Sequence, residues 1–283
     1  MNAPPAPLSG RRAHRRRWSD AVFLTLLAVL GGSYVALIVL MLAADACYTT
    51  PQHLREALAK SEIQFAIRLT VVCCSISAIL SLWVATPLGY LLSRHHFRGR
   101  WLIDTLVDIP IVLPPLVLGL SLLILFHIRI GSWRLEQWLR DIAGFPVTFH
   151  VPAVILAQFS VACAFAVRTM RVTFDEIDPR AEAVARTLGC SQGQAFLLVA
   201  LPQAWRGMMT AGIVAWARSL GEFGPILVFA GATRNRTEVL STTVFLELSV
   251  GDLQAAVAVS LLMVLLAVLV LVVLRLLGME SRR

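Results

Sequence analysis

The chain has 283 residues, of which 58% are hydrophobic and only 15% charged, and its formal net charge is +8. A soluble domain of this length buries a core with far fewer apolar residues, so a mean hydropathy of +0.76 identifies an integral membrane protein. An isoelectric point near 10.1 raises nucleic acid as a partner, but the basic residues are dispersed beside apolar runs, as membrane topology requires, and nucleic-acid binding is set aside.

The first 19 residues hold Pro4, Pro5 and Pro7, then Arg11, Arg12, Arg15, Arg16 and Arg17. This composition predicts a basic, disordered cytoplasmic tail near anionic lipid. Residues 20–283 form one transmembrane domain. A span needs roughly 20 apolar residues to cross about 30 Å of hydrocarbon. Six stretches qualify, at about 21–43, 63–92, 102–126, 150–169, 207–230 and 253–277, which predicts an all-α polytopic membrane protein with six transmembrane helices. The first is followed by Ala44-Asp45-Ala46, a possible signal-peptide cleavage site, but its apolar stretch is too long for a signal peptide and it is read as a retained helix. The second is long enough to tilt or to project beyond the bilayer. The 44–62 and 127–149 loops carry amphipathic pieces such as Trp133–Trp138, whose tryptophans suit the membrane interface.

Arginine placement sets the orientation. With a cytoplasmic N-terminus, 16 of the 25 basic residues fall on the cytoplasmic side. Seven fall outside (Arg55, Lys60, Arg129, Arg134, Arg140, Arg234 and Arg236), and Arg68 and Arg218 lie within spans. The positive-inside rule therefore places both termini in the cytoplasm.

Two spans contain breaks. Pro110, Pro114 and Pro115 interrupt the third before Gly119, with Asp104 and Asp108 near its start as interfacial residues. In the fifth, Arg218 and Glu222 are one helical turn apart and share a face near mid-bilayer. They form either a structural ion pair at a helix or subunit interface or part of an anion route. Gly221, Gly224 and Pro225 follow and predict a helix break lined by protein or water.

The longest cytoplasmic loop, 170–206, contains AEAVARTLGCSQGQAFLLVALPQAW. Asp178 is an N-cap and Pro179 suits the first helical position. Ala181, Val184, Ala185 and Leu188 fall on one apolar stripe, and Gly189 ends the helix with a positive φ. Ser191 and Gln194 form a capping box that starts a second helix to about Val199, and Leu201-Pro202 ends it. The product is a stiff helical hairpin, either a connector packed on its own spans or a docking element for a soluble partner.

That segment resembles the EAA loop of ABC importer permeases, in which a glycine stands 13 residues before a proline, as Gly189 and Pro202 do here. Leu201 matches, and Val199 stands for the family's isoleucine. Glu182 is seven residues before Gly189, where the general pattern has six, and the E-x-x-A-R-T-L-G variant resembles the molybdate, tungstate and sulfate branch. DIPIVLPPLVLGLSLL (108–123) and ARSLGEFGPILVFAG (217–231) resemble that branch as well. The resemblance implies a type I ABC importer permease fold for a tetrahedral oxyanion, molybdate or tungstate before sulfate, in a bacterial inner membrane. It implies that the loop carries a coupling helix seated on a cytoplasmic ATPase. Glu182 and Arg186 would be polar contacts there, Ala183 and Leu188 packing contacts, and Gly189 the turn. No GxxxxGK[ST] sequence is present, so ATP and Mg would be used by separate subunits and this chain would bind no cofactor. The implied partners are a second permease chain, simplest as a homodimer, two ABC ATPase subunits, an extracytoplasmic solute-binding protein and the lipid bilayer.

Within the same class, iron(III), polyamine or thiamine permeases carry similar loops. An intramembrane enzyme would need His, Asp or Glu clustered in the spans. His127 and His150 lie at span ends without such partners, and Cys47, Cys73, Cys74, Cys163 and Cys190 show no metal spacing, so neither a catalytic nor a metal site is expected. A stand-alone channel or a structural membrane protein would have no use for the hairpin.

Overall fold

The computed structural model describes residues 9–130 and 133–280. It divides into two units, residues 1–50 and 51–283. The first is a single helix, α1 (Ser9–Tyr48), whose apolar part Val22–Tyr48 is 27 residues long, enough to cross a membrane. The tail expected over 1–19 lies outside the described residues up to position 8. From Ser9 the backbone is helical, because no proline follows Pro7 to stop the helix from running back through the arginines.

The second unit begins with α2 (Pro51–Ala59) and α3 (Ser61–Arg94), followed by α4 (Arg100–Val112) and α5 (Pro115–His127). A two-residue antiparallel pair, β1 (Arg129–Ile130) with β2 (Trp133–Arg134), leads into α6 (Leu135–Ala143). Next come α7 (Val151–Glu176), α8 (Arg180–Thr187), α9 (Gln192–Ala195) and a π-helical turn (Phe196–Ala200). The chain closes with α10 (Leu201–Gln203), α11 (Trp205–Leu220), α12 (Gly224–Phe229), α13 (Leu240–Val250) and α14 (Leu253–Glu280).

The fold is all-helical apart from the short β pair, and the third and fifth of the six expected spans are each divided between two helices. Among the described residues four helices are long and apolar enough to cross a membrane, or five if the bent pair α4–α5 counts as one. The third expected span (102–126) is that pair, bent by 114°. Pro110 does not break it: α4 continues through Pro110 to Val112. The break falls at Leu113, which is extended (φ −64°, ψ 138°) because the Pro114 ring excludes the helical region for the residue before it. Pro115 then opens α5. The fifth expected span (207–230) is divided between α11 and α12 by Gly221–Phe223, where the glycines and Pro225 place it.

Three helices make the centre. α3, α7 and α11 pack through small side chains, among them Cys74, Ala85, Ala162, Ala166, Ala211 and Ala215, all with essentially no exposure. In lipid there is little hydrophobic gain from bringing helices together, so small residues that allow close backbone approach supply the contact. Buried Gln158 on α7 ties the three: its amide donates to the Ser219 carbonyl on α11 (3.2 Å) and its oxygen accepts from the Ser77 hydroxyl on α3 (3.2 Å). Toward one end, Phe126 of α5, Val154 of α7 and Phe229 of α12 form a second cluster. The α8–α9 hairpin occupies the other end.

Candidate functional site

The hairpin is held by local chemistry. The Asp178 carboxylate accepts the Arg180 backbone N–H (2.9 Å), the expected cap. At the C-terminus of α8, Gly189 N–H donates to the Arg186 carbonyl (3.1 Å) and Cys190 N–H to the Ala185 carbonyl (3.1 Å), the two bonds of a Schellman end. Gly189 has φ +95°, with open space where a side chain would stand. Ser191 accepts from the Gln194 N–H (3.3 Å) while the Gln194 side chain accepts from the Ser191 N–H (2.8 Å), the expected capping box.

The second helix does not stop at Leu201-Pro202. It widens into the π turn, where Leu201 N–H reaches back five residues to the Phe196 carbonyl, and then passes through α10 toward α11. Pro202 has no N–H for an α-helical ladder, and its ring would press on the Leu198 carbonyl. The π turn upstream makes room.

The faces of α8 differ from expectation in one respect. Ala183 and Arg186 are exposed, with Val184 at 57% and Leu188 at 80%. Glu182 is buried beside Ala185 and accepts from the Tyr90 hydroxyl (2.6 Å) and from Arg94 Nε (2.9 Å). The apolar stripe is therefore split, with Ala185 turned inward and Val184 and Leu188 outward. Both carboxylate oxygens of Glu182 accept hydrogen bonds from α3, so it faces its own bundle. A concavity of about 490 Å³ lies on the outer side, lined by Ala183, Arg186, Thr187, Cys190, Ser191 and Gln192.

In the interior, Arg218 Nη1 lies 3.2 Å from Glu222 Oε2, so the pair expected from sequence forms. Glu222 is 2% exposed and its other oxygen has no hydrogen-bond partner among the described residues, whereas the Arg218 side chain is one third exposed, 5.5 Å over the Phe165 ring. The break beyond it is covered by protein: the Ser241 hydroxyl of α13 donates to the Glu222 carbonyl (2.7 Å). Gly224 and Pro225 start α12 against α5, with Gly224 beside Pro115 and Gly119 beside Pro225.

Sequence reasoning missed two sets of charges. Asp104 and Asp108 are not merely interfacial. They ion-pair with Arg171 and Arg168 of α7, the Asp108 pair through two nitrogens of Arg168. The signal was available as two acids four apart near the start of one span, with two arginines three apart near the end of another. At the end of the bundle opposite the hairpin, Arg234 bridges Glu62 (2.7 Å) and Glu247 (3.1 Å), and Lys60 lies 3.8 Å from Glu247 and 3.7 Å from Asp252. Those residues are up to 192 positions apart, from Lys60 to Asp252, and nothing local marks them. Near the hairpin a groove of about 700 Å³ between α7 and α11 is lined by Arg168, Thr169, Thr173, Gln203, Arg206 and Thr210. Its threonine hydroxyls donate to carbonyls of their own helices, so they offer an anion no proton. Among the described residues no group of His, Cys, Asp and Glu is placed to hold a metal ion.

The sequence pattern of the family described as binding-protein-dependent transport system inner membrane component matches residues 85–280. The chain is 30% identical over 207 residues to the sulfate transport system permease protein CysT of Escherichia coli, covering 72% of this chain and 73% of that protein. It is 36% identical over 207 residues to the molybdenum transport system permease protein ModB of Mycobacterium tuberculosis, covering 73% and 76%. Among solved structures it resembles a bacterial alginate ABC transporter crystallised with an alginate-bound periplasmic protein, with a TM-score of 0.68, 20% identity and 96% of both chains covered, a likeness of fold. Since the family pattern takes in well over half of the chain, this protein belongs to the inner-membrane components of binding-protein-dependent transport systems.

Proposed function

We infer that the chain is the permease subunit of an ATP-driven importer for a tetrahedral oxyanion, with molybdate or tungstate ahead of sulfate. Two copies would form the pathway, two cytoplasmic ATPase subunits would supply ATP and Mg chemistry, and an extracytoplasmic binding protein would deliver the anion. The observation that carries this reading is the outer face of α8. Val184 and Leu188 stand exposed on a helix whose buried Glu182 is bonded to α3, next to a concavity rimmed by Arg186 and the α9 cap. Large exposed apolar side chains on a capped, rigid element at the water-facing end of a membrane bundle suit a protein partner. That end is the cytoplasmic one by the distribution of arginines, which also puts both termini there. The oxyanion class is supported by the molybdenum and sulfate relatives.

Arg218 fits the same reading. An anion leaving water needs a positive field, and it must be held weakly enough to move on. The buried carboxylate of Glu222 tempers the partly exposed guanidinium of Arg218 without facing an incoming anion. The test is uptake by proteoliposomes holding the chain with its cognate ATPase and loaded binding protein. ATP-dependent accumulation of labelled molybdate, competed by tungstate more strongly than by sulfate, is the expected result. Accumulation competed by iron(III), polyamine or thiamine and not by oxyanions would overturn the substrate class. Reporter fusions at positions 135 and 195 should report opposite sides of the membrane, and the same side for both would end this topology.

A further inference from the structure

The buried side of α8 carries an inference about how the hairpin acts, and it rests on the transport reading above. Arg94 is the last residue of α3, and Tyr90 lies one turn before it on the same face. Both reach Glu182: the Tyr90 hydroxyl donates to Oε2 and Arg94 Nε to Oε1. Arg94 Nη2 also donates to the Ile177 carbonyl (2.8 Å), which caps the end of α7. The Tyr90 ring packs edge-on against Phe174 of α7 (5.4 Å) and tilted against Phe196 of the π turn (4.6 Å). Gln192 at the start of α9 meets His95 just past α3 (2.9 Å). The end of α3 is thus the point at which α7, α8 and the π turn converge.

The covalent path from α8 to the bundle is softer than this contact. On one side it runs through Ile177, Asp178 and Pro179, outside any helix, and on the other through the turn at Gly189 and Cys190. A load applied to the outer face of α8 would be absorbed at those links unless α8 were fastened elsewhere. Pro87 removes one ladder bond of α3 shortly before Tyr90, so the last turn of α3 also needs an outside anchor, and the Arg94–Ile177 bond and the Phe174 contact provide it.

We propose that Tyr90 and Arg94 are positioning residues that clamp the coupling helix α8 to α3 through Glu182, so that displacement of α8 is delivered to α3 directly. α3 is 34 residues long, about 50 Å at 1.5 Å per residue. It carries Glu62 at its other end, in the ion pair with Arg234. A push at the hairpin thereby has a rigid route to the opposite end of the bundle. Glu182 serves the clamp and leaves partner contact to Ala183, Val184, Arg186 and Leu188.

The experiment uses the complete reconstituted transporter and measures three quantities: ATPase retained on purification, ATP hydrolysis, and anion imported per ATP. Tyr90→Phe removes one hydroxyl and keeps the ring packing. Arg94→Lys keeps the charge. Tyr90→Phe combined with Arg94→Gln dissolves the clamp. The combined variant should keep its ATPase and its hydrolysis while import per ATP falls roughly tenfold, the scale set by losing hydrogen bonds to a charged group. Arg94→Lys should restore most of the coupling. An unchanged ratio in the combined variant overturns the clamp. Loss of the ATPase in Tyr90→Phe also overturns it, because Glu182 would then serve docking. Failure of the transport reading would appear in the wild type, as purified protein without ATPase, and would remove the clamp's role with it. Failure of the clamp alone would appear only in the variants.

Discussion

A methyl group at Gly119 or Gly224 tests whether α5 and α12 pack as the structure has them. A Cβ on Gly119 would stand 2.7 Å from Pro225 Cα and 3.1 Å from both Pro225 O and Val228 Cβ. On Gly224 it would stand 2.8 Å from Pro115 Cβ, 3.0 Å from Leu116 N and 3.1 Å from Pro115 C. Carbon atoms rest at about 3.5–4.0 Å, so each methyl intrudes by close to 1 Å. The obstructing atoms are mostly backbone and proline ring, which have no rotamer to escape into, so the helices must separate. Overpacking of this kind costs about 1–3 kcal/mol. Both methyls press on the same pair of helices, and one separation relieves both. The double variant should therefore cost nearer to one single than to the sum, a coupling on the scale of roughly 0.5–3 kcal/mol for residues in contact. Gly193 is the control: it is helical with nothing within 4 Å, so Gly193→Ala should be neutral or slightly stabilising. Unfolding free energies in mild detergent for the four variants decide it. Wild-type stability in either single variant, or full additivity in the double, would refute the packing.

Other outcomes follow from the same geometry. Gly189→Val should cost roughly 1 kcal/mol or more for its positive φ and uncouple hydrolysis from uptake, while Gly189→Asn should be milder; wild-type coupling in the valine variant would show that the Schellman end does not matter. Arg218→Met should destabilise by about 3–5 kcal/mol because it strands the buried Glu222 carboxylate, whereas Glu222→Gln leaves a partly exposed arginine and should cost less. Equal stability losses on thermal unfolding would remove that asymmetry. In the loop between α12 and α13, burial holds the Glu238 carboxyl above its ordinary value of 4.5, and one of its oxygens has no hydrogen-bond partner among the described residues. The native state then holds this proton more tightly than the unfolded chain, so stability should fall as pH rises from about 4.5 through the raised native value. Glu238→Gln should flatten that slope in melting curves taken across the pH series, and an unaltered slope would exclude Glu238 as its source.

The hairpin was legible because its signals are local. An acid before a proline, a glycine at a helix end and a serine three before a glutamine each act within one turn, and Asp178, Gly189, Ser191 and Gln194 do in the structure what their spacing implies. Glu182 was not legible in the same way. Helical period says which residues share a face, but the direction of that face depends on Tyr90 and Arg94, about 90 positions earlier. The usual guide, apolar inward and polar outward, also reverses here, since Val184 and Leu188 stand out in water while Glu182 is buried.

The two broken spans explain each other. Proline and glycine announce where a helix cannot continue, and each break leaves backbone groups without helical partners. At membrane depth such groups are tolerated only where protein or water covers them. The break at Leu113–Pro114 and the break at Gly221–Phe223 are over 100 residues apart, yet the helices that follow them start side by side, Pro115 against Gly224. Two consecutive prolines open α5 and so reduce the donors needing cover, while the absence of side chains at Gly119 and Gly224 lets the backbones close over one another. Ser241 then satisfies the Glu222 carbonyl from α13. The interruption is thus a single covered joint shared by the third and fifth expected spans; Glu222 lies buried within it, while Arg218, in the last turn of α11, is partly exposed.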